Sequence, residues 1–216
     1  MESNGELAEK LNKAWRFFYG RGFIDGFGHI SARTSQPDQI LISPHSLAHE
    51  SKPQDFVLVD LAGNIIAGEG KLPGELAIHL ELYKYRADIG SVAHFHCLYA
   101  TSFSMSDVPL GASYFLASIF RGGVPIHPDS RFINNEARGV ALAKTLGDRR
   151  AALLKAHGVV VAGADILEMV AAAFILEDNA RRTWTSAAMG KVEWTSASNP
   201  RLSLASRARS LTAAFV

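Results

Sequence analysis

The sequence has a single cysteine among its 216 residues, Cys97, so no disulfide can form within the chain and no oxidising compartment is called for. It also lacks a charge surplus of either sign. A formal net charge of +1, with no run of Lys or Arg, offers nothing to neutralise a phosphate backbone, and nucleic acid is excluded as an expected partner. No apolar stretch approaches the roughly 18 residues of a membrane span. The segment Met1-Glu2-Ser3-Asn4-Gly5-Glu6 is polar and acidic where a signal peptide would be basic and then apolar, so a cytoplasmic protein is expected, with no membrane partner. Internal repeats, low-complexity tracts and Pro/Gly/Ser linkers are missing as well, which argues for one continuous domain over residues 1–216.

What is present suits a folded core. Hydrophobic residues make up 48% of the chain and charged residues 20%, which sets it apart from disordered and membrane classes. Leu7, Leu11, Ala14 and Phe18 recur at helical spacing after Ser3-Asn4-Gly5, and Gly20-Arg21-Gly22 ends the pattern. Residues 39–43 read as a strand, and residues 56–60 and 64–67 as a hairpin about Ala62-Gly63. Further helices are predicted over residues 75–85, 99–105, 136–146 and 166–188, and strands over 91–96, 151–154 and 159–162. Residues 107–132 read as irregular. The alternation has no strict βαβ rhythm and no Gly-rich phosphate fingerprint, so the expectation is α/β with a mixed, mainly antiparallel sheet covered by helices. The chain ends in an apolar, helix-like stretch, Leu211 to Val216, an ending compatible with a further extension.

The chemistry concentrates in histidines. In His94-Phe95-His96, at the end of an apolar strand, the period of two turns both imidazoles to one face and Phe95 to the other. His157 stands in another strand-to-loop kink, followed by Gly158, where backbone can approach closely. Three neutral imidazoles with open positions describe a catalytic transition-metal site rather than a closed structural one. Histidines two apart on a strand also occur as exposed or hydrogen-bonded pairs, so the spacing alone leaves the metal open.

Gly28-His29-Ile30-Ser31, Ile42-Ser43-Pro44, Pro73-Gly74-Glu75, His79, His94-Phe95-His96 and His157-Gly158 stand in the order and spacing of a known pattern. From about Leu7 to Trp184 the chain resembles the class II aldolase/adducin family. The resemblance implies a three-layer α/β/α domain and a homotetramer with sites between subunits. It also implies one divalent transition metal per chain, zinc first, with manganese, iron or cobalt as other candidates. On this resemblance His94, His96 and His157 are the metal ligands and Glu75 is the acid/base residue. Glu75 also has a plain reading as an acidic residue favoured in the first turn of a helix. His79, one turn later, reads as a supporting partner, a substrate contact or a hydrogen-bonded core histidine.

The departures bear on the substrate. The sugar-phosphate enzymes of the family have Gly-Asn-Ile-Ser and Ser-Ser-Glu where this chain has Gly28-His29-Ile30-Ser31 and Pro73-Gly74-Glu75. Pro73 removes a hydroxyl and a backbone donor, and His29 replaces a small amide by a larger ring, which disfavours a phosphorylated sugar. Asp25-Gly26-Phe27-Gly28-His29 with Ser31 and Arg33 is more similar to the family's decarboxylase branch, of the 3,4-dihydroxyphthalate or hydroxypyridine-dicarboxylate type. The expected substrate is thus a hydroxylated aromatic acid, contacted by His29, Ser31, Ser43, His45, His79 and Arg121. Phe27, Phe95, Tyr114, Phe115 and Phe120 are candidate ring walls, each with core packing as its alternative. His49 and His127 read as loop or surface histidines, and Cys97 as a small buried residue. The expected reaction is decarboxylation. An aldolase or epimerase acting on a non-phosphorylated hydroxycarbonyl compound is the alternative, and a non-catalytic adducin-like binding module is the second.

Overall fold

A computed structural model describes residues 2–195, so the apolar ending at Leu211 to Val216 lies outside the described residues. Ser3 opens the first helix, α1 (Asn4–Gly20), through a capping box with Glu6, each side chain meeting the other's backbone N–H. The strands are β1 (His29–Arg33), β2 (Gln39–Ile42), β3 (Val57–Asp60), β4 (Ile65–Ala67), β5 (Ser91–Phe95), β6 (Ile126–His127), β7 (Ala151–Leu154) and β8 (Gly158–Gly163). The remaining helices are α2 (Leu76–Tyr85), α3 (Leu98–Phe103), α4 (Glu136–Leu146) and α5 (Ile166–Met189), with short 3-10 turns at Pro53–Asp55 and Phe115–Phe120.

The eight strands form one sheet in the order β4-β3-β2-β1-β5-β8-β7-β6. Every pairing is antiparallel except β6 with β7. Alternation along the central strands divides the apolar residues between the two faces. Ile30, Ala93, Phe95, Leu153 and Val161 pack against α1, α3 and α5, around Trp15, Phe18 and Leu176. Val92, Ala152, Leu154, Val160 and Ala162 pack on the other face against α2 and α4, around Ile78, Leu82 and Leu142. The mixed, mainly antiparallel sheet read from the sequence and the three-layer α/β/α arrangement implied by the resemblance are therefore the architecture.

Three details differ from the sequence reading, the first being β6, a short strand inside residues 107–132 that read as irregular. β1 was not expected as a strand, although His29-Ile30-Ser31-Ala32-Arg33 alternates polar and apolar residues, because the run is short and follows the glycines Gly26 and Gly28. His127 is buried rather than loop or surface, with Nδ1 3.0 Å from the Thr145 hydroxyl across β6 and α4. Among the described residues no helix is long and apolar enough to cross a membrane.

Candidate metal centre

β5 places His94 on the sheet face shared with Val92 and turns Phe95 into the opposite core. The His94 ring is oriented from the next strand, with Nδ1 3.0 Å from the carbonyl oxygen of Val159. A carbonyl only accepts, so Nδ1 carries the proton and Nε2 presents its lone pair. That Nε2 is buried and has no hydrogen-bond partner. His96 lies just beyond the strand, where its backbone N–H donates to Phe23 O at 3.3 Å.

His157 comes from the β7–β8 turn, whose residue Ala156 has φ 52°, a left-handed conformation uncommon outside glycine. The Ala156 N–H is tied to Ser104 Oγ at 3.0 Å, which anchors that turn to the end of α3. Gly158 then lets β8 come against β5, since a Cβ there would lie 2.7 Å from both His96 Cδ2 and Phe95 O. The rings of His96 and His157 stack at 5.5 Å, and His94 meets them edge-on at 4.9 and 5.0 Å. One donor atom from each of the three lies within 4.8 Å of the others. An orphaned buried nitrogen among three converging imidazoles fits a divalent transition cation. Burial, aided by His94 and His157, brings the His96 pKa down to about 4, so its ring is neutral as a ligand must be.

Glu75 is buried immediately before α2, and it makes no side-chain cap bond to that helix. The first-turn reading of Glu75 gives way to a different use. Its Oε1 accepts the Ile133 N–H at 2.8 Å, and its Oε2 lies 3.4 Å from Nε2 of both His94 and His157. Burial by itself would raise this carboxyl's pKa. The contact with His157 and the Ile133 N–H more than offset it and hold the group well below the usual range, as a carboxylate.

A line of buried polar groups leads away from the cluster on its other side. His29 is the direct cross-strand partner of His94, with ring centroids 5.0 Å apart. His29 Nδ1 is 2.6 Å from His79 Nε2, His79 Nδ1 is 2.6 Å from Ser31 Oγ, and Ser31 Oγ is 2.8 Å from the Tyr83 hydroxyl. A donor atom of His29 also falls within 4.8 Å of those on Glu75 and His94, a second grouping able to hold a cation. Burial lowers the pKa of His79 to about 3 and that of His29 well below its ordinary value, so both rings are neutral.

The other residues singled out in the sequence fall elsewhere. Ser43 is fully buried and its Oγ accepts the Ile30 N–H at 3.0 Å, a bond between neighbouring strands rather than a hydroxyl facing the cluster. His45 is exposed in an open cleft with Pro44, Gln54 and Lys71, away from the five converging histidines. Arg121 is exposed at the end of the Phe115–Phe120 turn and does not join the cluster in this chain. Phe95 and Phe120 are core residues, and the Tyr114 ring is covered by Arg182, so these three do not wall a cavity beside the histidines. Phe27, next to Gly28, is exposed. Tyr83 and Ile133 were missed as parts of the site. Tyr83 follows His79 by one helical turn, which is a usable signal, whereas the Ile133 backbone contact leaves no trace in residue type.

Residues 9–184 match the family described as Class II Aldolase and Adducin N-terminal domain. A 5-deoxy-D-ribulose 1-phosphate aldolase from Bacillus thuringiensis serovar kurstaki is 34% identical over 143 residues, 66% of each chain, so the match spans just under two thirds of that relative. Among solved structures, an L-fuculose 1-phosphate aldolase from Glaciozyma antarctica superposes with a TM-score of 0.79 at 25% identity, covering 96% of this chain and 82% of that one. An aldolase II superfamily protein from Pseudomonas syringae gives a TM-score of 0.85 at 21% identity, covering 100% and 94%, a likeness of fold.

Proposed function

This chain belongs to the class II aldolase and adducin family, and from that premise we propose that it is a metal-dependent carbon–carbon lyase cleaving a hydroxycarbonyl substrate by a retro-aldol reaction. The observation that carries this reading is the convergence of His94, His96 and His157 on one another, with the carboxylate of Glu75 against two of them. The three imidazoles would hold the cation, zinc first among the candidates. A divalent ion there supplies a Lewis acid beside the substrate's hydroxyl and carbonyl oxygens.

Glu75 does the proton transfers. Its Oε1 is fixed by Ile133, so Oε2 is the oxygen left to act, and it is ionised with lone pairs able to accept a proton. It takes the proton of the substrate hydroxyl. The carbon–carbon bond then breaks, an aldehyde leaves, and the electron pair passes to the neighbouring carbonyl group. Glu75 returns the proton to the carbon that lost the aldehyde.

One relative matched by sequence is named an aldolase, which supports aldol cleavage over decarboxylation of a hydroxylated aromatic dicarboxylate. The core positions of Phe95 and Phe120 weaken the planar-ring reading further. Pro73 and His29 favour a substrate without a phosphate, and that preference is part of the proposal. So are a cytoplasmic location and a homotetramer in which exposed Arg121 reaches a neighbour's site; sedimentation of an active monomer would remove the tetramer. A non-catalytic binding module would have no use for this cluster.

The test is incubation of the metal-loaded protein with a ketose, its 1-phosphate and a hydroxyphthalate, reading aldehyde and CO₂. Aldehyde from a ketose supports the proposal. Release of CO₂ from the aromatic acid alone would return decarboxylation to first place.

A further inference from the structure

His29 stands at the edge of the cluster, and its neutral ring can play two opposite parts. With its proton on Nδ1 it would offer the Nε2 lone pair as a further ligand, as its grouping with Glu75 and His94 allows. With its proton on Nε2 it cannot bind a cation and is instead a hydrogen-bond donor.

The line of hydrogen bonds behind it decides between them. Tyr83 is buried, and among the described residues Ser31 Oγ is the acceptor its hydroxyl meets, because the Val92 backbone amide that also faces it can only donate. The phenol must therefore donate to Ser31, or its hydrogen is left unsatisfied in the core. Ser31 in turn has its own hydrogen to place, and His79 Nδ1 is the acceptor at 2.6 Å. A neutral His79 that accepts at Nδ1 carries its proton on Nε2, and that proton goes to His29 Nδ1, also at 2.6 Å. His29 is then left with its proton on Nε2.

We propose that Tyr83, Ser31 and His79 are positioning residues that hold His29 as its Nε2–H form, keeping it out of the ligand set as a hydrogen-bond donor to a substrate oxyanion. Ser31 and His79 thus act through His29 rather than on the substrate. The oxyanion part rests on the lyase reading, whereas the protonation of His29 does not. Neutrality matters here, since a neutral donor can sit beside a divalent cation without the repulsion that an imidazolium would meet.

The experiment is ¹⁵N NMR of histidine-labelled protein loaded with ¹¹³Cd, with His29 assigned by loss of its signals in His29→Gln. The expected result is a proton on His29 Nε2 in roughly tenfold or greater excess over the other form. ¹¹³Cd couplings should appear at His94, His96 and His157 and be absent from His29, and His29→Gln should keep its cadmium. Tyr83→Phe removes the phenol that sets the direction, so the Nε2–H excess should fall several-fold. A cadmium coupling to His29, a bare Nε2 in the wild type, or an unchanged excess in folded Tyr83→Phe would overturn the proposal. The wild-type spectrum decides even where the variants do not fold, and it stands whether or not any ketose is cleaved.

Discussion

Gly158 and His96 are in such close contact that a single methyl group on Gly158 would lie 2.7 Å from His96 Cδ2, with Phe95 O equally near. The backbone carbonyl cannot yield easily, so Gly158→Ala should displace the His96 ring. Groups that orient metal ligands typically contribute about 10- to 100-fold in affinity, and a loss of that order is expected here. Competition with a chelating dye measures it. Wild-type affinity in Gly158→Ala would show that the close approach does not position His96.

Glu75→Gln keeps the shape of the side chain and removes the base. General acid/base catalysis supplies about 10² to 10⁴-fold in rate, so turnover should fall by that order while metal content stays near that of the wild type. Steady-state rates and elemental analysis on the same preparation separate the two effects. Undiminished turnover would take the proton transfers away from Glu75.

Ser43 separates a structural role from a substrate contact. Its hydroxyl accepts the Ile30 N–H inside the sheet, and removing it leaves that buried donor unpaired. Ser43→Ala should lower stability by about 1–3 kcal/mol in urea unfolding and leave the substrate KM unchanged. A raised KM with unchanged stability would restore the substrate contact expected from the sequence.

The buried His79 makes stability depend on pH. Its pKa is about 3 in the folded protein against 6.5 for the ordinary group. Below about pH 6.5 the unfolded chain takes up a proton that the folded one refuses, so stability falls on acidification and is level above that point. The slope is up to about 1.4 kcal/mol per pH unit, or about 2 kcal/mol between pH 6.5 and pH 5. Urea unfolding of metal-free protein should show this loss, and His79→Gln should lack that share of it. Equal pH dependence in both proteins would contradict the buried, neutral assignment.

Much of the fold was legible because apolar periodicity reports it. The two faces of β5, β7 and β8 are written in alternating or continuous apolar residues, and α4 and α5 in helical spacing. The His94–His96 pair was legible for the same reason, since a strand fixes where alternate side chains point. β1 was missed although its polar and apolar residues alternate, because the run is short and two glycines precede it. The partners of Ser31, Ser43 and Glu75 could not be read either, because each is set by strand register or by a distant backbone amide. A hydroxyl or carboxylate in the sequence does not say whether it faces a cavity or a neighbouring strand.

The most direct measurement of the central claim is the metal content of the purified protein and of His96→Ala after identical dialysis. The account predicts close to one divalent transition ion per wild-type chain and its loss from the variant, in which the two remaining imidazoles hold it too weakly to survive. Metal retained in full by folded His96→Ala, or none taken up by the wild type when zinc is supplied, would contradict it.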